Sequence, residues 1–192
     1  MRKKFKKAAL KINPMRLLFH VCCAHCYLSY AELLKDYQTT FFYYNPNIHP
    51  EEEYQQRLQA IQKISVKYHF PLIVGDYDTE KWFQAVKGLE TEPENGLRCR
   101  VCFRLRLEQT AKIAHENGFT HFATALNLSP YKEIDYINQV GAELAKKYNL
   151  TYVSFPFSQE ERRRLHFSAK PRCKEEAVYC QNYCGCVYSK RK

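Results

Sequence analysis

Five short apolar runs, alternating with longer stretches of helical pattern, constrain the fold of this chain more than any other feature. The runs are 17–21, 40–44, 71–75, 121–124 and 151–155. Helical patterns follow Cys26 through Leu34, then run from Pro50 to Tyr68, Thr79 to Lys87, Val101 to Glu116 and Tyr131 to Tyr148. Pro50 suits a first helical position, and Glu51, Glu52 and Glu53 complement the positive end of the helix dipole. Continuous apolar strands alternating with helices imply an α/β fold, a parallel sheet covered on both faces. Ligands of such sheets lie beyond the carboxyl ends of the strands, near the switch point. From residue 156 the rhythm stops, and the sequence predicts short helices and a cysteine-bearing tail folding back over the sheet edge. A chain of 192 residues is expected to form one domain with a real core.

The first run, LLFHV, ends at Cys22-Cys23-x-x-Cys26, and strands do not need adjacent thiols at their ends. The nine cysteines are an odd number, and they cluster: Cys22, Cys23 and Cys26, then Cys99 and Cys102, then Cys173, Cys180, Cys184 and Cys186. Short-spaced clusters of this kind point to metal binding or redox chemistry in a reducing compartment, here the cytoplasm, rather than to a disulfide framework. Cys99-x-x-Cys102 follows a turn at Asn95-Gly96 and puts both sulfurs on one helix face. Near a helix N-terminus, the dipole and free amides favour thiolates. The pair fits zinc, an iron–sulfur cluster or a dithiol. Four thiolates serve either tetrahedral zinc or a [4Fe–4S] cluster. Cys22, Cys23, Cys99 and Cys102 are the candidates, and the Cys22-Cys23 adjacency favours iron and sulfur; Cys26 is a spare thiol for the same or a neighbouring metal.

Cys184-Gly185-Cys186 has a different character. A disulfide across one intervening residue closes a very small ring and is easily reduced. That suits an electron relay better than a structural staple. Two further metal ligands, or a pair of free thiols, are the alternatives. His20 and His25 flank the adjacent cysteines as candidate proton donors or supporting groups, whereas His49, His69, His115, His121 and His166 read as packing or surface residues.

The net charge is +10 and unevenly spread. Residues 1–16 carry seven of the 30 basic residues and no acid, leaving 23 basic against 20 acidic elsewhere. Further clusters stand at Arg162-Arg163-Arg164 and Lys190-Arg191-Lys192. Such patches suit a polyanion. Residues 1–15 read as a basic extension and not as a signal peptide, since Lys11, Asn13, Pro14, Arg16 and His20 interrupt the apolar part. No apolar run approaches a membrane span.

Several stretches are longer than any simple motif: HVCCAHC at 20–26, YNPNIHPEEEYQQR at 44–57, GLRCRVCFRLRLEQTA at 96–111, ATALNLSPYK at 123–132 and YCQNYCGCVYS at 179–189. Together, and in this order, they resemble the epoxyqueuosine reductase QueH family, the cobalamin-independent enzymes that end queuosine biosynthesis on tRNA. The resemblance implies a Rossmann-like (HUP-type) sheet and a two-electron reduction of the epoxide of epoxyqueuosine at the wobble position. It carries Cys22, Cys23, Cys99 and Cys102 over as ligands of a [4Fe–4S] cluster, Cys184 and Cys186 as the redox-active pair, and Cys26 as a ligand of a further iron. The implied partners are the anticodon stem-loop and an unidentified electron donor, without a membrane. Lys132 and Arg57 are candidate phosphate contacts. Two positions depart from the family pattern: His25 stands where proline is usual, and Cys180 where the C-terminal motif usually has arginine. Residues 155–172 are weakly family-like, which bears on tail contacts to substrate.

Two other readings remain on the residues themselves. One is a zinc-stabilised RNA-binding module without catalysis. The other is an ATP-using tRNA-modifying enzyme, against which CCAHC offers no glycine-rich cradle for phosphates.

Overall fold

The computed structural model describes residues 15–189. The expectations for the basic stretch before Met15 and for Lys190-Arg191-Lys192 lie outside the described residues. Strands and helices alternate: β1 (Arg16–His20), α1 (Ala24–Tyr30), β2 (Gln38–Tyr43), α2 (Glu51–Lys67), β3 (Leu72–Val74), α3 (Thr79–Ala85), α4 (Leu97–Glu116), β4 (His121–Thr124), α5 (Ile134–Tyr148), β5 (Thr151–Tyr152) and α6 (Gln159–Glu175). All ladders are parallel, in the order β3-β2-β1-β4-β5. The chain steps outward from β1 to β3, then returns to the other side of β1 at β4. The switch point therefore lies between β1 and β4, where His20 is in register with Thr124.

Alternation of side chains along β1 builds the two core layers. Leu17, Phe19 and Val21 pack with Phe41 and Tyr43 under α1, α2 and α6. Leu18 packs with Phe42 and Phe122 under α4 and α5. Leu17, Leu18 and Phe19 are all fully buried, and each such side chain contributes about 1.5–3 kcal/mol. A strand buried on both faces reads as continuously apolar for this reason.

The structure shifts several expected boundaries. α1 begins at Ala24, so Cys26 lies inside its first turn rather than before it. Pro50 is the N-cap of α2, one position earlier than expected. α4 begins at Leu97 rather than at Val101. Its first amide, Leu97 N–H, donates to the Glu92 carboxylate at 2.9 Å, a cap supplied from a distance that the neighbouring residues do not announce. α5 begins at Ile134, three residues after the expected Tyr131. β5 is an edge strand of two residues, shorter than the apolar run 151–155.

The tail contains one long helix instead of short ones. Ser158 and Glu161 form a capping box at the start of α6, and Pro171 is accommodated near its other end. Only Ala169 and Cys173 of α6 are fully buried, so the helix carries no apolar period legible in sequence.

α5 crosses β5 closely at Gly141. A Cβ added there would stand 2.5 Å from the Tyr152 ring, whose hydroxyl hydrogen-bonds Asn127 at 2.8 Å. We expect Gly141→Ala to destabilise the fold by about 1–3 kcal/mol, measured by denaturant unfolding with an unchanged m-value.

Candidate metal and redox site

Cys22 and Cys23 leave the carboxyl end of β1, and the first turn of α1 brings Cys26 back beside them. Their sulfurs stand 3.9 Å (Cys22–Cys23), 3.4 Å (Cys22–Cys26) and 3.0 Å (Cys23–Cys26) apart. All three lie within 4.8 Å of one another, and Cys23 and Cys26 are buried. Cys26, a spare in the sequence, is a full member of this group. Gln181 from the tail donates to Cys23 Sγ at 2.9 Å.

The group is electrostatically asymmetric. Hydrogen bonds from Cys23 and Cys26, aided by the charges of Arg106 and Arg57, hold the Cys22 thiol well below its usual range against burial. Burial and Cys22 push Cys23 up, and the two neighbouring sulfurs push Cys26 up. Metal binding would displace these protons.

Cys99 and Cys102 occupy the first two turns of α4. Cys102 packs with Trp82, Val86 and Cys186, and Cys184 lies against the same cluster. Asn95, held in a left-handed conformation at φ 67°, donates its N–H to Cys99 Sγ at 3.3 Å. Burial pushes the Cys99 thiol up, and charge on Cys102 and Cys184 acts in the same direction. The structure thus joins the α4 pair with the C-terminal pair.

A buried polar link connects the two groups. Arg106, one turn beyond Cys102, donates to Asn45 Oδ1 at 2.6 Å. Asn45 in turn donates to Val21 O at 3.0 Å, immediately before Cys22. Arg106 also lowers the pKa of Cys22.

Cys184 and Cys186 differ sharply. The Cys186 thiol, the Lys132 ammonium, the Ser189 hydroxyl and the Cys186 amide bring Cys184 down to about 4, against burial. Ser189 Oγ lies 2.8 Å from Cys184 Sγ. Cys186 is pushed far up, first by Cys184 and then by burial. One member is held as thiolate and the other as thiol. Gly185 has φ 93° and no room for a side chain, since a Cβ would stand 2.8 Å from Ile48.

Two sequence expectations need correction. Arg57 is no surface phosphate contact: it is 1% exposed, and its guanidinium donates to Glu53 at 2.7 Å, Tyr183 O at 3.0 Å and Cys184 O at 3.3 Å. Glu53 also accepts from the Tyr179 hydroxyl at 2.7 Å. Lys132 is likewise enclosed, its side chain 10% exposed and 3.7 Å from Glu94. Burial lowers its pKa, but Cys184, Glu94, Cys99 and Cys102 together raise it, so the ammonium serves the thiols.

The flanking histidines are structural in geometry. His20 is fully buried, its Nε2–H donating to Tyr44 O at 3.2 Å and its Nδ1 accepting from the Thr124 hydroxyl at 2.9 Å. Burial and Arg106 lower its pKa to about 3, so it is neutral and has no proton to give. His25 donates to His166 O at 2.8 Å and fastens α1 to α6. Cys173 and Cys180 form a further neighbouring pair, and burial, then Cys180, pushes Cys173 up to about 12.

Gln181, Arg106 and Asn45 were not singled out in the sequence. Arg106 stands four residues after Cys102, a spacing that could have found it; Gln181 leaves no sequence signal.

A parallel sheet with thiols gathered beyond its switch point defines an α/β protein of the Rossmann-like kind with three cysteines at the strand ends that could hold a metal. The sequence profile described as "Epoxyqueuosine reductase QueH" matches residues 17–192. The chain is 41% identical over 192 residues to a protein of that name from Acinetobacter baylyi, covering 96% of this chain and 85% of the relative. It is 40% identical to one from Haemophilus influenzae, covering 97% and 76%, and 36% identical to one from Thermotoga maritima, covering 90% and 89%. A solved structure described as a predicted subunit of a tRNA methyltransferase from Methanocaldococcus jannaschii shares the fold, with a TM-score of 0.57 at 14% identity over 92% of this chain and 98% of that one. The chain belongs to the epoxyqueuosine reductase QueH family, and as the family name states, it is an oxidoreductase. Among the described residues no helix is long and apolar enough to cross a membrane.

Replacing Arg57 by Met leaves the Glu53 carboxylate buried without its cation. We expect a loss of about 3–5 kcal/mol, measured by chemical denaturation. Limited proteolysis should then cut first between Glu176 and Ser189, the segment that Arg57 anchors.

Proposed function

We propose that this chain reduces epoxyqueuosine to queuosine at the wobble position of tRNA, in the cytoplasm, as a single catalytic unit whose tail from residue 156 closes over the site. The observation that carries this reading is the gathering of Cys22, Cys23 and Cys26 within 4.8 Å at the carboxyl end of the central strand. It is supported by the tie of Cys102 to Cys184 and Cys186.

The donor set fits an iron–sulfur centre. Soft thiolates select iron–sulfur clusters or zinc over hard cations. Arg106 supports the same fit: it is buried, has Asn45 as its polar partner, and its Nε has none. A buried guanidinium without a carboxylate is costly unless other negative charge stands near, and thiolates supply it. The gathered thiols are Cys22, Cys23 and Cys26, with Cys99 and Cys102 in the second group across the Arg106–Asn45 link. In the proposed assignment Cys22, Cys23, Cys99 and Cys102 would hold a [4Fe–4S] cluster and Cys26 a further iron. Bound there, the centre would supply electrons and a Lewis acid for the epoxide oxygen.

The rest falls to the chain's own groups. Removing the epoxide oxygen as water, with a carbon–carbon double bond left behind, takes two electrons and two protons. Oxidation of Cys184 and Cys186 to a disulfide releases two electrons. Cys184 is already a thiolate, so the Cys186 thiol and the Lys132 ammonium hold the two protons. An external electron donor then restores the dithiol, and the small ring closed across Gly185 makes that reduction easy. The segment after α6, anchored by Arg57, leaves Cys186 buried and Cys184 half-buried.

Anaerobic incubation with epoxyqueuosine-containing tRNA and a chemical reductant, followed by nucleoside mass analysis, should show loss of one oxygen. Cys184→Ser should keep its iron and sulfide while turnover falls to background, and Cys99→Ala should lose the iron. Unchanged epoxide with a fully loaded centre would defeat the catalytic reading. The zinc-module alternative draws on the same three sulfurs, which also suit one tetrahedral ion; it requires zinc without sulfide and RNA affinity indifferent to reductant.

A further inference from the structure

We infer that Tyr131, His166 and Phe167 form a stacking platform at the rim of the site for an unpaired nucleobase of the RNA, with Arg163, Arg164 and Lys170 contacting the flanking phosphates. The inference rests on the proposed RNA substrate and names the surface that receives it.

Tyr131 and Phe167 are 57% and 59% exposed, the two most exposed Phe, Tyr or Trp side chains among the described residues. They stand on different elements, Tyr131 in the loop before α5 and Phe167 on α6, yet His166 joins them. Its ring lies 6.0 Å from Tyr131 and 5.4 Å from Phe167, edge-on to both. Packing explains neither aromatic, because α6 docks through Ala169 and Cys173 instead. Exposed aromatic faces that serve no core are how proteins hold splayed bases, since every base has a π-face.

Location ties the platform to the chemistry. His25, one residue before Cys26, lies 4.6 Å from the His166 ring and donates to the His166 carbonyl. On the other side, Tyr131 O accepts from Asn95 Nδ2 at 2.6 Å, and the Asn95 amide contacts Cys99. Tyr131 also adjoins Lys132, whose ammonium faces Cys184. The aromatic rim therefore spans from the α1 thiols to the α4 thiols.

Charge selects a nucleic acid over an apolar protein partner. Residues 162–174 hold six Lys or Arg and no acid. Arg162 and Arg172 are used inside the fold, on Phe157 O and Leu28 O. Arg163, Arg164 and Lys170 are exposed, and at three- and four-residue spacing they share the outer face of α6 with Phe167.

The test measures binding of an unmodified anticodon stem-loop RNA, carrying 2-aminopurine in the loop, and of a duplex of equal charge. Phe167→Leu should weaken stem-loop binding roughly tenfold and abolish the fluorescence quenching caused by stacking, while duplex binding stays unchanged. Phe167→Trp should restore both. Replacing Arg163 and Arg164 by Gln should weaken both RNAs and flatten the salt dependence by about 0.7 per lost phosphate contact. Stem-loop affinity and quenching unchanged in Phe167→Leu would overturn the platform, as would equal losses on both RNAs or no RNA binding by the native protein. Epoxide reduction by the native protein, assayed separately, reports on the catalytic reading: the platform can fail while reduction proceeds, and the reverse.

Discussion

The Arg57 guanidinium is the contact on which the rest of the site depends. It sits on α2, fully enclosed, and binds the carbonyls of Tyr183 and Cys184 while Glu53 holds it in place. A charged group buried at this depth is tolerated only when its partners are complete. That requirement forces residues 183–185 against the loop before α2, where Gly185 O also accepts from His49 N–H at 2.8 Å. Gly185 is the residue that can lie there, its φ positive and the space a Cβ would need taken by Ile48 and Arg57. Through these contacts the segment after α6, which has almost no regular structure, becomes a wall of the site and delivers Cys184 and Cys186 to Cys102.

Around that wall, cations and sulfurs answer each other. Three enclosed cations, Arg57, Arg106 and Lys132, act on the thiols; Arg57 has Glu53 and Lys132 has Glu94, whereas the polar partner of Arg106 is the Asn45 amide. The consequence is a graded set of thiols: Cys22 and Cys184 biased toward thiolate, Cys23, Cys26 and Cys186 toward thiol. Each group thus pairs a nucleophilic sulfur with a proton-bearing neighbour. The flanking histidines serve the fold instead: His20 bonds Thr124 of β4 and Tyr44 O beyond β2, and His25 bonds His166 O of α6 through Nε2.

Much of the fold was legible in sequence because local rules govern it. The apolar runs marked every strand, and β4 began and ended where the pattern placed it. The cysteine spacing marked the thiols of the candidate site, since Cys22 and Cys23 follow a strand and Cys99 and Cys102 lie in the first two turns of one helix. The start of α4 was misplaced because its cap, Glu92, lies five residues upstream. The continuity of α6 was hidden because only two of its residues face the core. Arg57 and Lys132 were read as surface charge, since a sequence does not show which lysine or arginine has its partners already inside the fold.

By itself, then, the sequence determined the parallel α/β architecture and the identity of the thiols, since both follow from residue type and short-range spacing. Tertiary structure alone decided which thiols meet. Cys26 joins Cys22 and Cys23 because α1 starts one turn earlier than the pattern suggests, and Cys184 meets Lys132 from more than fifty positions away because Arg57 pins the tail. Such long-range pairings depend on the closure of the whole chain, and no local periodicity records them.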